Sequence, residues 1–228
     1  MRKQFQRAII VLSATVVALT TSTAVLAQSA GVWSVKAGVN QITPKVKSDD
    51  MSAPALPGTK ADIKSDTEAI IAASYMFTDN ISAEFHLGIP YTHELVGDGS
   101  IKGVGKLGTV QSLPPTLYLQ WRFLEPKATF RPYIGLGLTY ARFQKETGSG
   151  ALTAVTNTGS TTPTTFTVDS KFALTPQIGV TYAINEKWFA DLAVTKTYLK
   201  TTTHFSTGQK LDIRLDPVAV SFAIGYHF

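Results

Sequence analysis

Cysteine is absent from the 228 residues, and histidine is scarce, at four. The first absence excludes a disulfide-stapled domain and any Cys-ligated metal centre. The four histidines, His86, His93, His204 and His227, show no H-E-x-x-H or other ligand spacing, so each reads as a lumen, loop or interface residue. Charge is thin as well, at 16% Asp, Glu, Lys and Arg. Beyond residue 27 no stretch approaches the ~18 apolar residues of a helical membrane span. No G-x-S-x-G nucleophile motif occurs. Gly103-Val104-Gly105-Lys106-Leu107-Gly108 fits G-x-G-x-x-G, but Leu113-Pro114-Pro115 and a strand-like run follow where a helix would have to open. It therefore reads as a flexible glycine loop and not as a nucleotide site. No cofactor and no metal are expected.

What is present begins with a leader. Arg2, Lys3 and Arg7 precede an apolar run from Ala8 to Leu19, and Val25-Leu26-Ala27 is a small-residue cleavage site. The expected division is a cleaved signal peptide over 1–27 and one domain over 28–228. Cleavage would remove three positive charges and no negative ones, lowering the formal charge from +5 to +2, so the basic balance does not argue for nucleic-acid binding. An exported chain without a helical anchor is periplasmic, secreted or in the outer membrane.

Period-2 patterning decides among these, because a strand with two different neighbours alternates. It recurs eight times. Trp33-Val35-Ala37-Val39, Ala69-Ile71-Ala73-Tyr75-Phe77, Ile81-Ala83-Phe85-Leu87-Ile89-Tyr91 and Leu113-Leu117-Leu119-Trp121-Phe123 form the apolar faces of the first four runs. Ile134-Leu136-Leu138-Tyr140, Phe172-Leu174-Ile178-Val180-Tyr182-Ile184, Trp188-Ala190-Leu192-Val194-Tyr198 and Val218-Val220-Phe222-Ile224-Tyr226-Phe228 form those of the last four. The opposite faces are small and polar. A soluble sandwich, or a lipocalin-like barrel, would turn its large residues inward. A narrow membrane barrel turns them out to lipid and keeps small side chains for the lumen, and the mean hydropathy of only +0.08 suits that average. The fold class is therefore all-β, an eight-stranded antiparallel transmembrane β-barrel.

Other features agree. Thr78-Asp79-Asn80 and Asn185-Glu186-Lys187 are tight turns and 124–130 is slightly longer. The alternate connections 43–66, 92–111 and 144–169 are long, with a shorter one near 203–209. Short periplasmic turns and long outer loops are the outer-membrane pattern. The Thr-, Ser- and Gly-rich stretch in 144–169 is expected to be mobile and exposed. Trp33, Phe77, Trp121, Phe123, Trp188 and Phe228 fall at one girdle, and Tyr91, Tyr140 and Tyr198 towards the other.

Strand direction assigns heights to inward residues. Lys36, Glu84, Arg122 and Asp191 face inward near the periplasmic end, and two cations with two anions at one level would pair into a polar plug. The competing interpretation, a catalytic pair of Glu84 and Asp191 with His86, is disfavoured by the two cations. Higher up, Ile42, Ile70, Pro90, Pro114, Phe143, Leu199, Leu211, Ile213 and Leu215 keep inward parity yet are apolar, with Tyr118 near the middle. They form either an apolar funnel open to the outside or a hydrophobic cap packed on itself. Prolines 114, 115, 176 and 217 each delete a ladder hydrogen bond. A break in the wall beside a closed floor suggests a sideways exit into lipid, with the Pro176 strand as the place to tie it shut.

Four segments carry a family resemblance: LPPTLYLQWRF from Leu113 to Phe123, RPYIGLGLTY from Arg131 to Tyr140, Trp188-Phe189-Ala190-Asp191-Leu192, and the ending from Leu215-Asp216-Pro217 to Gly225-Tyr226-His227-Phe228. The chain resembles the OmpW family of outer-membrane proteins over essentially its whole mature length. The resemblance implies an eight-stranded barrel, an apolar lumen closed at the periplasmic side, and uptake of small hydrophobic compounds. It supplies no catalytic motif. Phe222, Ile224, Tyr226 and Phe228 resemble the C-terminal assembly signal of such proteins. The expected partners are outer-membrane lipid and lipopolysaccharide, small hydrophobic solutes and the barrel-assembly machinery, with no nucleic acid. Two other classes compete with a passive facilitator. One is a structural or surface-display barrel whose 144–169 loop meets phage or host. The other is a lipid-modifying enzyme, for which the outer rim offers only His93, Glu94 and His204, without partner spacing.

Overall fold

A computed structural model describes residues 28–53, 55 and 57–228; the expected leader over 1–27 lies outside the described residues. Eight strands carry the alternation: β1 (Trp33–Thr43), β2 (Asp66–Met76), β3 (Ile81–Gly88), β4 (Thr116–Arg122), β5 (Phe130–Gly148), β6 (Lys171–Ala183), β7 (Trp188–Lys196) and β8 (Val218–His227). Each pairs antiparallel with the next, and β8 pairs back onto β1 from Ser34↔His227 to Thr43↔Val218, so the sheet closes. Closure leaves no unpaired edge, which is the condition for a sheet to sit in hydrocarbon.

The apolar faces point out. Ile71, Phe85, Leu119, Leu136, Phe172, Ile178, Leu192 and Phe222 are all exposed, and together they form a belt around the wall. In water so much bare apolar surface would drive association; in lipid it is the matching surface. The inward positions are small because large neighbours lie across them. A Cβ on Gly179 would stand 2.4 Å from the Tyr133 ring, and one on Gly225 would stand 2.2 Å from Phe189. Local chemistry fixes the short turns. The Thr78 hydroxyl accepts the amides of Asn80 and Ile81, and the Asn185 side-chain oxygen accepts those of Lys187 and Trp188.

At the opposite end the wall continues beyond the belt. Tyr91–Gly99 and Lys106–Leu113 form a hairpin joined by Thr59–Ile63. Phe166–Val168, Lys200–Phe205, Lys210–Arg214 and Lys47–Ser48 form a second, four-stranded sheet in that order. Both enclose an apolar cluster that includes Met51, Leu95, Leu107, Leu152, Phe166, Phe205 and Leu211.

Two expectations fail here. The stretch 144–169 is not a mobile exposed loop: β5 runs on to Gly148, and a helix α1 (Gly150–Thr156) follows. Ser149 caps it by accepting the Leu152 amide at 3.2 Å, and Leu152 is only 2% exposed within the cluster. Ser149 and Leu152 are enough to seat a short helix in a composition that otherwise reads as linker. Tyr91 is also misplaced by simple alternation. It is buried in the lumen and its hydroxyl accepts from the Asn40 side-chain amide at 2.8 Å. The strand breaks at Pro90, so the parity that holds through Ile89 does not carry to Tyr91.

Candidate functional site

The lumen has a floor, a cavity and a roof. The floor is built on the inward positions of β1, β3, β4, β5, β6 and β7. Lys36, 3% exposed, places its ammonium 3.0 Å from Glu84 and 2.7 Å from Asp191, so one cation bridges both carboxylates. Asp191 also accepts the Tyr133 hydroxyl at 3.1 Å and the Thr181 hydroxyl at 3.3 Å. Glu84 accepts the Gln120 side-chain amide at 2.9 Å and stands 2.6 Å from His86 Nε2. Every strong acceptor thus has a donor, which is what ionised groups out of water require.

Arg122 departs from the expected two-by-two pairing. No ion pair involving it occurs among the described residues. It donates instead to neutral oxygens on Ser82, Thr181 and Gln120 at 3.1, 3.1 and 2.9 Å, and lies 4.9 Å from the centre of the Tyr133 ring. A second arginine, Arg131, is fully buried and ties backbone carbonyls of Gln28, Asp79, Phe123 and Leu124 together. It fastens two periplasmic turns and the chain ahead of β1. Sequence patterning missed Arg131 and Tyr133 because the fifth run was counted only from Ile134. Their shared parity with Gly135 and Gly137 is the signal that places both inward.

Above the floor lies a cavity of about 110 Å³. For scale, a cavity of ~150 Å³ lined by aliphatic and aromatic side chains stays dry and accepts benzene. Ile42, Ile70, Pro114, Tyr118, Phe143, Leu199 and Leu215 line it, as do Tyr91, Pro44, Pro217 and Ala219, with hydroxyls of Thr116, Thr139 and Ser221 among them. Three residues placed with these by parity are elsewhere. Leu211 and Ile213 are buried in the cluster that roofs the outer end, and Pro90 sits in the wall without lining the cavity. In the outer lumen, part of the apolar set lines the cavity and part packs on itself.

The cavity meets the wall at one seam. The β3–β4 ladder stops at His86↔Thr116 and resumes only at Tyr91↔Ser112. Over this gap 87–90 face 113–115, and Pro90, Pro114 and Pro115 have no amide to donate. Leu87, 41% exposed outward, also lines the cavity. The Pro176 strand is better closed. Pro176 stays in register with Leu136 of β5, and Tyr198 donates to the Leu174 carbonyl at 2.9 Å. On β8, Phe222, Ile224 and Tyr226 share the outward face, continued by Phe228 just past its end, and the rings of Trp188 and Phe228 pack on Tyr226.

Closure of eight antiparallel strands and an outward apolar belt define a transmembrane β-barrel. The family model for the OmpW family matches residues 29–228, and the chain belongs to that family. Outer membrane protein W of Vibrio cholerae is 31% identical over 219 residues, 93% of this chain and 96% of that protein. The crystal structure of the outer membrane protein OprG from Pseudomonas aeruginosa superposes with a TM-score of 0.80 at 27% identity, covering 90% of this chain and 99% of that one. The dibenzothiophene metabolism operon protein PahQ of Pseudomonas aeruginosa is 27% identical over 176 residues, 76% of this chain and 77% of that protein. The protein is a bacterial outer-membrane barrel, and its belt faces outer-membrane lipid.

Proposed function

We propose that the barrel lets small hydrophobic molecules cross the outer membrane passively. They part the apolar roof, occupy the cavity and leave sideways through the β3–β4 seam. The observation that carries this is the position of an apolar cavity directly over a buried floor in which Lys36 bridges Glu84 and Asp191. The floor withholds a straight aqueous route, while the seam at Leu87 and Pro114 is where the cavity touches the wall. An apolar solute gains little from a polar exit and much from lipid, about 25 cal/mol per Å² of apolar surface kept from water. The relation to an operon protein of dibenzothiophene metabolism supports a solute of this class. The β8 face of Phe222, Ile224, Tyr226 and Phe228 is read as the signal met by the barrel-assembly machinery. The packed roof favours a second reading, a structural or display barrel that carries nothing.

Flux of naphthalene and ion current in the same proteoliposomes separates the two. We expect apolar flux with little current. Ala219→Trp, which fills the cavity from β8, should abolish the flux without opening a current. Because the chain lacks cysteine, Ile89→Cys with Leu113→Cys can be tied by a short cross-linker, and tying should lower flux severalfold relative to the untied form. A steady ion current would overturn the closed floor. Flux indifferent to both variants would overturn the route, and no flux at all would leave the structural barrel.

A further inference from the structure

A row of cations crosses the outer sheet. Lys200 pairs in register with Arg214, and Arg214 with Lys47, so three positive side chains lie side by side on one face. All three are exposed, and none makes an ion pair among the described residues. Directly opposed like charges destabilise a sheet, so the row is unfavourable on its own terms. Several exposed lysines of this end are answered by acids, Lys60 by Asp50, Lys64 and Lys106 by Glu94, and Lys171 by Asp169, while Lys45, Lys102, Lys145 and Lys210 stand unpaired among the described residues but are not set in register with another lysine or arginine.

The height of the row is informative. Tyr198, two residues before Lys200 and on the same face, is 60% exposed in the lipid-facing belt. The cations therefore begin where the belt ends. One step further out the face turns acidic, with Asp212 held by the Thr202 hydroxyl at 2.6 Å and Asp49 bonded through its amide to the Asp212 carbonyl. The face thus passes from apolar belt to cation row, at the level of headgroup phosphates, and then to Asp212 and Asp49, with Lys210 beside His204 further out.

We propose that Lys47, Arg214 and Lys200 form a binding site for the phosphates of a phosphorylated glycolipid in the outer leaflet. The guanidinium of Arg214, at the centre, offers paired donors to a phosphate, and the flanking ammonium groups add point charge. Occupancy removes the repulsion that the row otherwise carries, so the lipid clamps three strands of the second sheet together.

The test titrates the full-length refolded barrel, in neutral-lipid nanodiscs, with lipopolysaccharide, with its dephosphorylated form and with inorganic phosphate. Binding and thermal unfolding are both read. Lipopolysaccharide should bind and raise the midpoint, and the dephosphorylated form should do neither. Each cation replaced by Gln should weaken binding roughly fivefold, and all three on the order of a hundredfold, the scale of surface cations near anionic lipid. A control triple, Lys60→Gln with Lys64→Gln and Lys106→Gln, removes the same charge from paired lysines and should leave binding unchanged. Without lipid, the Lys47→Gln, Arg214→Gln, Lys200→Gln variant should be no less stable than wild type, since it relieves repulsion. Equal losses in both triples would reduce the effect to net charge and overturn the site. Equal binding of inorganic phosphate, or binding of the dephosphorylated lipid, would overturn the assignment to a lipid phosphate.

Discussion

The two ends of the lumen are closed by opposite chemistries. The periplasmic end is held by Lys36, Glu84 and Asp191, with Tyr133, Thr181 and Gln120 aimed at the carboxylates. The outer end is held by Leu95, Leu107, Leu152, Phe166, Leu211 and Ile213, which present no polar atom to one another. Ionic closure is directional, and each group depends on a named partner. Apolar closure is non-directional, and an apolar guest replaces the contacts it disturbs. The proposed route uses this difference: the floor stays shut to ions while the roof yields to a hydrophobic molecule.

The sharpest way to break this comparison is at Lys36. Lys36→Met leaves two buried carboxylates without their cation, and removing one partner of a buried ionic set costs about 3–5 kcal/mol. The whole barrel should lose that stability, read as the urea midpoint of refolding into bilayers. Adding Glu84→Gln and Asp191→Asn removes the stranded charges and should recover most of it. A single variant as stable as wild type would mean that the floor is not an ionic seal.

The outer end should respond locally. Leu152→Ala in α1 removes a fully buried side chain from the roof at a cost of about 2–5 kcal/mol. That cost should fall on the roof and not on the wall. Hydrogen exchange should quicken in Lys106–Leu113 and Phe166–Val168 while β1 and β8 remain protected. If the barrel strands open together with the roof, the two ends are one cooperative unit and the comparison fails.

How far the sequence carries this contrast depends on what alternation can encode. Eight strands, their faces, the short turns and the inward parity of Lys36, Glu84, Arg122 and Asp191 were all legible, because a closed wall between lipid and lumen imposes period 2 throughout. Partner choice was not. Nothing in parity says that Lys36 takes both acids and Arg122 neither, since both cations sit inward near the same height. Breaks were the second limit. Pro90 was visible as a proline, yet its consequence, the turning of Tyr91 from belt to lumen, needs the register on both sides. The third limit was the outer end, where Leu211 and Ile213 share inward parity with Leu199 and Leu215. The register of the added sheets, and not parity, puts the first pair in the roof and the second at the cavity.

The smallest effect sits where the two chemistries meet. His93 lies in the outer hairpin and lines the cavity. One ring nitrogen is 3.0 Å from the Lys64 carbonyl and the other 3.2 Å from the Ser112 hydroxyl, so a neutral ring donates to the first and accepts from the second. Burial pushes its pKa down, opposed more weakly by the Lys64 carbonyl and by Asp66. The folded ring therefore resists a proton that the unfolded chain takes up near pH 6.5. Stability conferred by neutral His93 is complete above that pH, falls as pH drops below it, and levels off once the buried ring is protonated. His93→Gln can supply a donor and an acceptor without titrating, and should flatten this part of the profile while leaving the response of the floor unchanged. Exchange in Tyr91–Gly99 at pH 7 and pH 5 measures it. A wild-type hairpin with equal protection at both values would mean that the outer end, even where it carries a polar group, is closed by packing alone.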